Sequence, residues 1–254
     1  MKKILLGAVM VVAIAGSLLI FHRKAAAPSS SGKPTASSPS SPAQSAATGF
    51  NKQRYSTSQP DSIWVVVNKP RPLDPINYVP MDLIVPDVPL RLAASQEQMH
   101  IRKQVEQPMK DLFAAAKQAG FQLSLGSGYR SFQYQKQLYD SYVATSGQAE
   151  ADKTSARPGH SEHQTGLAFD VEITNMKCHL DKCLGDTPDG KWIAENAYKY
   201  GFIIRYTADK VAVTGYDYEP WHLRYVGTDL ASELHKQNIE TLEEFFNIPG
   251  GPNY

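Results

Sequence analysis

Apolar and polar positions divide the chain into three regimes. Residues 4–21 form an uncharged apolar run behind two lysines. Residues 25–48 are almost wholly Ala, Pro, Ser, Thr and Gly, with only Lys33 and Gln44 departing. Such a stretch lacks the apolar surface to pack and is expected to be a disordered tether. From about Ser62 onward the periodicities of a packed domain set in. IWVVV (63–67) reads as an apolar strand, and the proline-punctuated chain after it as extended structure lying on a surface. Between 95 and 119 the spacing predicts a helix. Ser95 and Gln98 form a capping box, apolar residues recur at 101, 105, 109, 112, 113 and 116, and Gly120 is the stop. Pro108 is expected to kink that helix or split it near Gln107. FQLSLGSGYR reads as a strand opening into a glycine turn, followed by a helix over about 131–144. GLAFDVEI is a buried strand, WIAENAYKYGFIIRY a short helix, a Gly201 stop and a strand, and GYDYEPWHLRYV a last strand. A helix over about 227–236 and the NIETLEEFF segment would cover the sheet. Strands and helices mixed without regular βαβ alternation predict an α+β fold, a single domain with a mostly antiparallel central sheet flanked by helices. The expected organisation is an N-terminal segment (1–24), a linker (25–60) and one domain (61–254).

Composition narrows the function classes. With 26 basic and 25 acidic residues and a net charge of +1, no basic field invites nucleic acid. The run at 4–21 is at the lower edge of what spans a bilayer and longer than a usual signal-peptide core. An AAA at 25–27 is a possible cleavage site, but His22, Arg23 and Lys24 separate it from the run. An uncleaved membrane anchor is therefore favoured over a cleaved signal. In either case the domain is exported. Cys178 and Cys183 in KCHLDKCLGD read as a small-loop disulfide in that setting. A zinc site with His179 lacks the usual second pair of ligands.

Chemistry concentrates in RPGHSEHQTGLAFD (157–170) and EPWH (219–222). Asp170 lies in an otherwise apolar strand, where an ionised carboxylate is costly unless paired or coordinated. A structural salt bridge would explain it as well as a metal would. Spacing alone does not link His163 to the distant Glu219 and His222. His22, His100 and His235 read as surface or packing residues.

The joint pattern is more specific. SEHQTGLAFD resembles the S-x-H-x-x-G-x-A-x-D signature of the LAS zinc peptidases, with Ser161, His163, Gly166, Ala168 and Asp170 matching. EPWH is similar to that family's second motif, and SGYRS (127–131) with Gln135 resembles its substrate-binding segment. The resemblance runs from about Trp64 to Val226 and is nearest to the VanY and LdcB group of D-alanyl-D-alanine and L,D-carboxypeptidases. It implies that His163, Asp170 and His222 bind one Zn²⁺, leaving a position for water. It implies Glu219 as general base and Arg130 as the cation that stabilises the oxyanion. Ser161 and Gln135 would hydrogen-bond the terminal D-alanine, and Tyr206 would line the pocket. His160, three residues before His163, would share a helix face with it, but Pro158 and Gly159 argue against a helix there. It is expected beside the ligands or lining the cleft.

The expectation is a monomeric, extracytoplasmic carboxypeptidase acting on peptidoglycan stem peptides. It would be periplasmic and held to the inner membrane by residues 4–21, or secreted if cleaved; the cysteine loop tilts towards a Gram-negative periplasm. Within the same class, an endopeptidase or D-Ala-D-Ala dipeptidase is the rival. A non-catalytic cell-wall-binding module is the rival from another class, and the intact His163, Asp170, Glu219 and His222 speak against it.

Overall fold

The computed structural model describes residues 49–254. The expected anchor or signal, and the linker as far as residue 48, lie outside the described residues. Among the described residues no helix is long and apolar enough to cross a membrane. Residues 49–60, assigned to the linker, pack on the domain. Phe50 stacks on Trp64 at 5.5 Å between ring centroids and meets Phe245 edge-on at 5.5 Å.

A four-stranded antiparallel sheet is the centre of the fold. Its strands are β3 (Leu123–Ser127), β4 (Ala168–Ile173), β5 (Phe202–Tyr206) and β6 (Glu219–Tyr225), in the order β3-β4-β6-β5. A two-stranded ribbon, β1 (Leu83–Ile84) with β2 (Ile101–Arg102), lies outside it. The helices are α1 (Lys103–Gln118), α2 (Phe132–Ser146), α3 (Gln148–Thr154), α4 (Pro188–Asn196), α5 (Val211–Thr214), α6 (Thr228–Gln237) and α7 (Leu242–Phe246). This is the α+β architecture expected. Side chains alternate across a strand. Phe169, Val171 and Ile173 of β4, with Leu223 of β6, enter the core beneath α1, which supplies Val105, Met109, Leu112, Phe113 and Ala116. The other face of β4 carries Asp170.

Two local expectations are corrected. The helix does not start at a Ser95 capping box. Residues Glu97–Met99 form one 3₁₀ turn, Ile101 and Arg102 pair with Ile84 and Leu83, and α1 begins at Lys103 with no side-chain cap at Arg102. Because of that later start, Pro108 falls in the second turn of an unbroken helix. There the ring lacks the N–H that would have bonded the Gln104 carbonyl, a loss of one helical hydrogen bond near the N-terminal end. The five buried apolar residues hold the helix on the core.

IWVVV joins no strand: Ile63 and Trp64 lie in a turn closed by Val65 N–H on Ser62 O, and Val65, Val66 and Val67 follow without a ladder partner. Val65 and Val67 enter the main core, while Trp64 and Val66 enter a second one with Leu230, Leu234 and Phe245. With both faces occupied, the segment satisfies its backbone singly. Val66 N–H donates to Thr57 O, and the carbonyls of Ile63 and Val65 accept from Arg224 Nη2. A strand-like apolar pattern was the right sign of burial but not of a sheet partner.

Candidate metal and substrate site

Strand register brings together residues far apart in the chain. In the β4–β6 pair Asp170 stands directly opposite His222, and in β5–β6 Tyr206 stands opposite Glu219. Both neighbouring pairings are irregular at the site, shifting between Leu125 and Ser127 and between Ile204 and Tyr206. Such irregularities re-aim side chains at a sheet's edge of activity. His163 comes from the 3₁₀ turn Glu162–Thr165, which is closed by Gly166 at φ 66°, a conformation that favours glycine.

One donor atom from each of His163, Asp170 and His222 lies within 4.8 Å of the others, and all three residues are buried. His163 Nδ1 donates to Gly128 O at 2.7 Å, which leaves Nε2 facing Asp170 Oδ1 at 3.4 Å. His222 turns its Nδ1 to Asp170 Oδ1 and to Glu219 Oε2, each at 3.6 Å. Asp170 Oδ1, the oxygen both rings face, is buried without a hydrogen-bond partner. An orphaned carboxylate oxygen between two imidazole nitrogens is an arrangement a small divalent cation fits, with nitrogen and oxygen donors suited to zinc. Gly128 is required at its place, because a Cβ there would lie 2.3 Å from His100 O.

Charge follows the same geometry. Burial, aided by the Arg130 cation, pulls His163 down to about 4, so at neutral pH it offers a lone pair. Burial opposes the charge on Asp170, but the His163 ring and the Arg130 guanidinium hold its carboxyl below the usual range. Burial and the adjacent Asp170 charge push Glu219 well above the usual carboxylate range.

The three lie in a cleft of about 700 Å³ whose wall also includes Arg130, Gln135, Ser161, Tyr206 and Glu219. Arg130 is not free. Its Nη2 donates to Asp170 Oδ2 at 2.5 Å and its Nε to Ser127 Oγ at 3.0 Å. Gln135 Nε2 donates to Ala156 O at 2.8 Å, leaving Oε1 buried and unpartnered. Tyr206 packs on the His222 ring at 4.8 Å between centroids. Of the two places expected for His160, beside the ligands or lining the cleft, the second is not the one it takes; it is held by Asn68 O at 3.1 Å and the edge of Tyr254.

Residues 98–228 match the VanY family, D-alanyl-D-alanine carboxypeptidase. The chain belongs to the VanY family. That stretch includes every candidate residue just described. Among relatives of this VanY-family enzyme, YodJ of Bacillus subtilis (strain 168) is 46% identical over 187 residues, 74% of this chain and 68% of that protein. Among solved structures, the LdcB LD-carboxypeptidase superimposes with a TM-score of 0.70 at 45% identity, covering 75% of this chain and 88% of that one. A VanY D,D-pentapeptidase from a VanB-type resistance cassette, a mutant in complex with Zn(II), gives 0.56 at 33% identity over 72% of this chain and 98% of its own.

Two features escaped the sequence reading. One is a buried charge network of Glu162, Arg205, Arg224 and Glu243, all at most 2% exposed. Its signal was present as arginines inside the apolar strands FIIRY and HLRYV, of the same kind as Asp170 in LAFDVEI. The other is the part played by the cysteine loop. Cys178 and Cys183 are joined, and Leu180, Asp181 and Lys182 between them form part of the cleft wall. His179 Nδ1 pairs with Glu172 Oε1 at 2.6 Å, and Lys182 with Asp217 at 2.8 Å, so the loop is tied two residues beyond Asp170 and two before Glu219. Replacing both cysteines by serine is expected to cost about 2 kcal/mol of stability from lost loop closure. It should raise KM several-fold with kcat little changed. Steady-state kinetics checks this, and an unchanged KM would show the wall to be rigid without the bridge.

Proposed function

We propose that this VanY-family chain is a zinc-dependent carboxypeptidase that removes the C-terminal D-alanine from peptidoglycan stem peptides, outside the cytoplasm. The observation that carries the reading is the His163–Asp170–His222 cluster in the cleft, with the Glu219 carboxylate 3.6 Å from His222 Nδ1. The Zn(II) complex of the related VanY supports zinc as the metal, and the LdcB study, which concerns peptidoglycan recognition, supports the substrate class.

Bound zinc supplies Lewis-acid chemistry and brings the pKa of its water towards about 7. The remaining work belongs to the chain's own residues. Glu219, raised by burial and by Asp170, is returned towards the carboxylate form by any cation that offsets the Asp170 charge. As a carboxylate it takes the proton of the attacking water and delivers it to the leaving amine. Arg130 is held by Asp170 through Nη2 and by Ser127 through Nε and lines the cleft, where a fixed cation stabilises the oxyanion of the scissile carbonyl. Ser161 and the unpartnered Gln135 Oε1 are assigned to the terminal D-alanine, and Tyr206 to the pocket wall and the seating of His222.

Between tetrapeptide and pentapeptide substrates, the stronger likeness to LdcB than to the D,D-pentapeptidase favours the L,D-bond of the tetrapeptide. Incubating both muropeptides with the zinc-loaded protein and weighing the products tests this, with a chelator control. Loss of a single alanine from the tetrapeptide is expected. Release of an alanyl-alanine dipeptide, or cleavage inside a cross-link, would overturn the carboxypeptidase reading.

A further inference from the structure

The buried network behind the site contains an unmatched pair of polar atoms. Glu162 Oε1 accepts from Arg205 Nε at 2.8 Å and from Arg224 Nη1 at 2.7 Å. Arg205 also grips Glu243 through both terminal nitrogens, at 2.9 and 2.6 Å. The two acids and two arginines balance, so the cluster is neutral within itself. Glu162 Oε2 takes part in none of this. It is buried, has no hydrogen-bond partner, and lies 3.5 Å from His222 Nε2, which is buried and unpartnered too. Leaving two such atoms unsatisfied side by side is costly, and a small ring rotation would join them. Which of the two is the donor is decided by chemistry. A carboxylate held by two arginines is an acceptor only, so Nε2 must carry the hydrogen. His222 Nδ1 is then the atom with the lone pair, and Nδ1 is the nitrogen turned towards Asp170 and Glu219.

We propose that Glu162 is the positioning residue for His222: its Oε2 accepts the Nε2–H, selecting the tautomer and ring angle that present Nδ1 to a metal ion, while Arg205 and Arg224 fix the carboxylate. The inference rests on the zinc reading. It divides labour between the two histidines. His163 is oriented through Nδ1 by the Gly128 carbonyl and offers Nε2, whereas His222 is oriented through Nε2 by a buried carboxylate and offers Nδ1. Outer partners of this kind set ligand basicity as well as direction, and their loss typically weakens metal affinity 10- to 100-fold.

Glu162→Gln is a sharp probe because the arginines dictate how the amide sits. Its oxygen must stay on Arg205 and Arg224, which turns the NH₂ donor towards His222 Nε2. Donor would face donor, favouring the other tautomer with a hydrogen on Nδ1. Zinc affinity, measured by competition with a chromophoric chelator on the full chain, is expected to fall about 10- to 100-fold. Glu243→Gln is the matched control: it disturbs the same cluster through Arg205 without reaching His222. It should lower Tm while leaving zinc affinity within about twofold of the parent. Equal loss of affinity in the two variants, or none in Glu162→Gln, would overturn the proposal by reducing Glu162 to a structural ion pair. If Glu162→Gln does not fold, the parent decides. In the zinc-loaded full chain with ¹⁵N-labelled histidine, His222 is expected to show a protonated, slowly exchanging Nε2 and a metal-bound Nδ1. A metal-bound or unprotonated Nε2 would refute it. A parent that binds zinc in no stoichiometric amount would instead sink the zinc reading itself, which keeps the two failures apart.

Discussion

Glu219→Ala protein is expected to bind zinc like its parent and to lose about 10²- to 10⁴-fold in kcat, the range that positioned acid–base groups supply. The side chain stands at the first position of β6, in register with Tyr206 and three residues before His222. It is therefore delivered to the cluster by the same strand that delivers a donor, without itself being one of the three donor residues. Removing it leaves His163, Asp170 and His222 in place. It also removes a carboxyl whose charge burial and Asp170 both oppose, so folding stability should not suffer. Metal content by atomic spectroscopy and alanine release by mass spectrometry give the two readouts. Activity within tenfold of the parent would refute Glu219 as the base; loss of zinc together with activity would make it part of the metal site instead.

The second large effect is expected at His222. His222→Ala should retain less than stoichiometric zinc after dialysis and show no measurable carboxypeptidase activity. Among the described residues only three buried donors converge within 4.8 Å, and a catalytic zinc site needs three protein ligands with a fourth position open. Loss of one leaves Asp170 and His163 on β4 and the preceding turn, with no donor from the strand that pairs with β4. The variant also removes the ring on which Tyr206 packs and which faces Glu162, so a lower Tm should accompany the metal loss. A variant that still held one zinc per chain would refute the assigned ligand set.

Much of this molecule was legible along the chain because two of its signals are local. LAFDVEI, FIIRY after the Gly201 stop, and EPWHLRY read as strands, and each contains one. Ser131 marked the start of α2, where its hydroxyl accepts from Tyr134 N–H at 3.1 Å. The separated motifs pointed to the VanY group, the family that residues 98–228 match. Where a local signal had two outcomes, the reading failed. A capping-box pattern at Ser95 lost to pairing of Ile101 and Arg102 with β1. An apolar pattern at IWVVV lost its expected ladder because both of its faces are buried and a buried arginine serves its carbonyls.

By itself, then, the sequence marked residues that are chemically unusual: a carboxylate inside an apolar strand, histidines beside glycine turns, a close cysteine pair. It determined the family as well, since motif order survives without coordinates. Only the tertiary structure decided which of those residues meet. Asp170 and His222 are far apart in the chain and become neighbours through the register of β4 on β6, and a shift of one residue would send either to the opposite face. The same register placed Arg224 and His222 on one face, over Glu162. Partnership of this kind is a property of pairing between distant segments, and spacing along a chain carries no information about it.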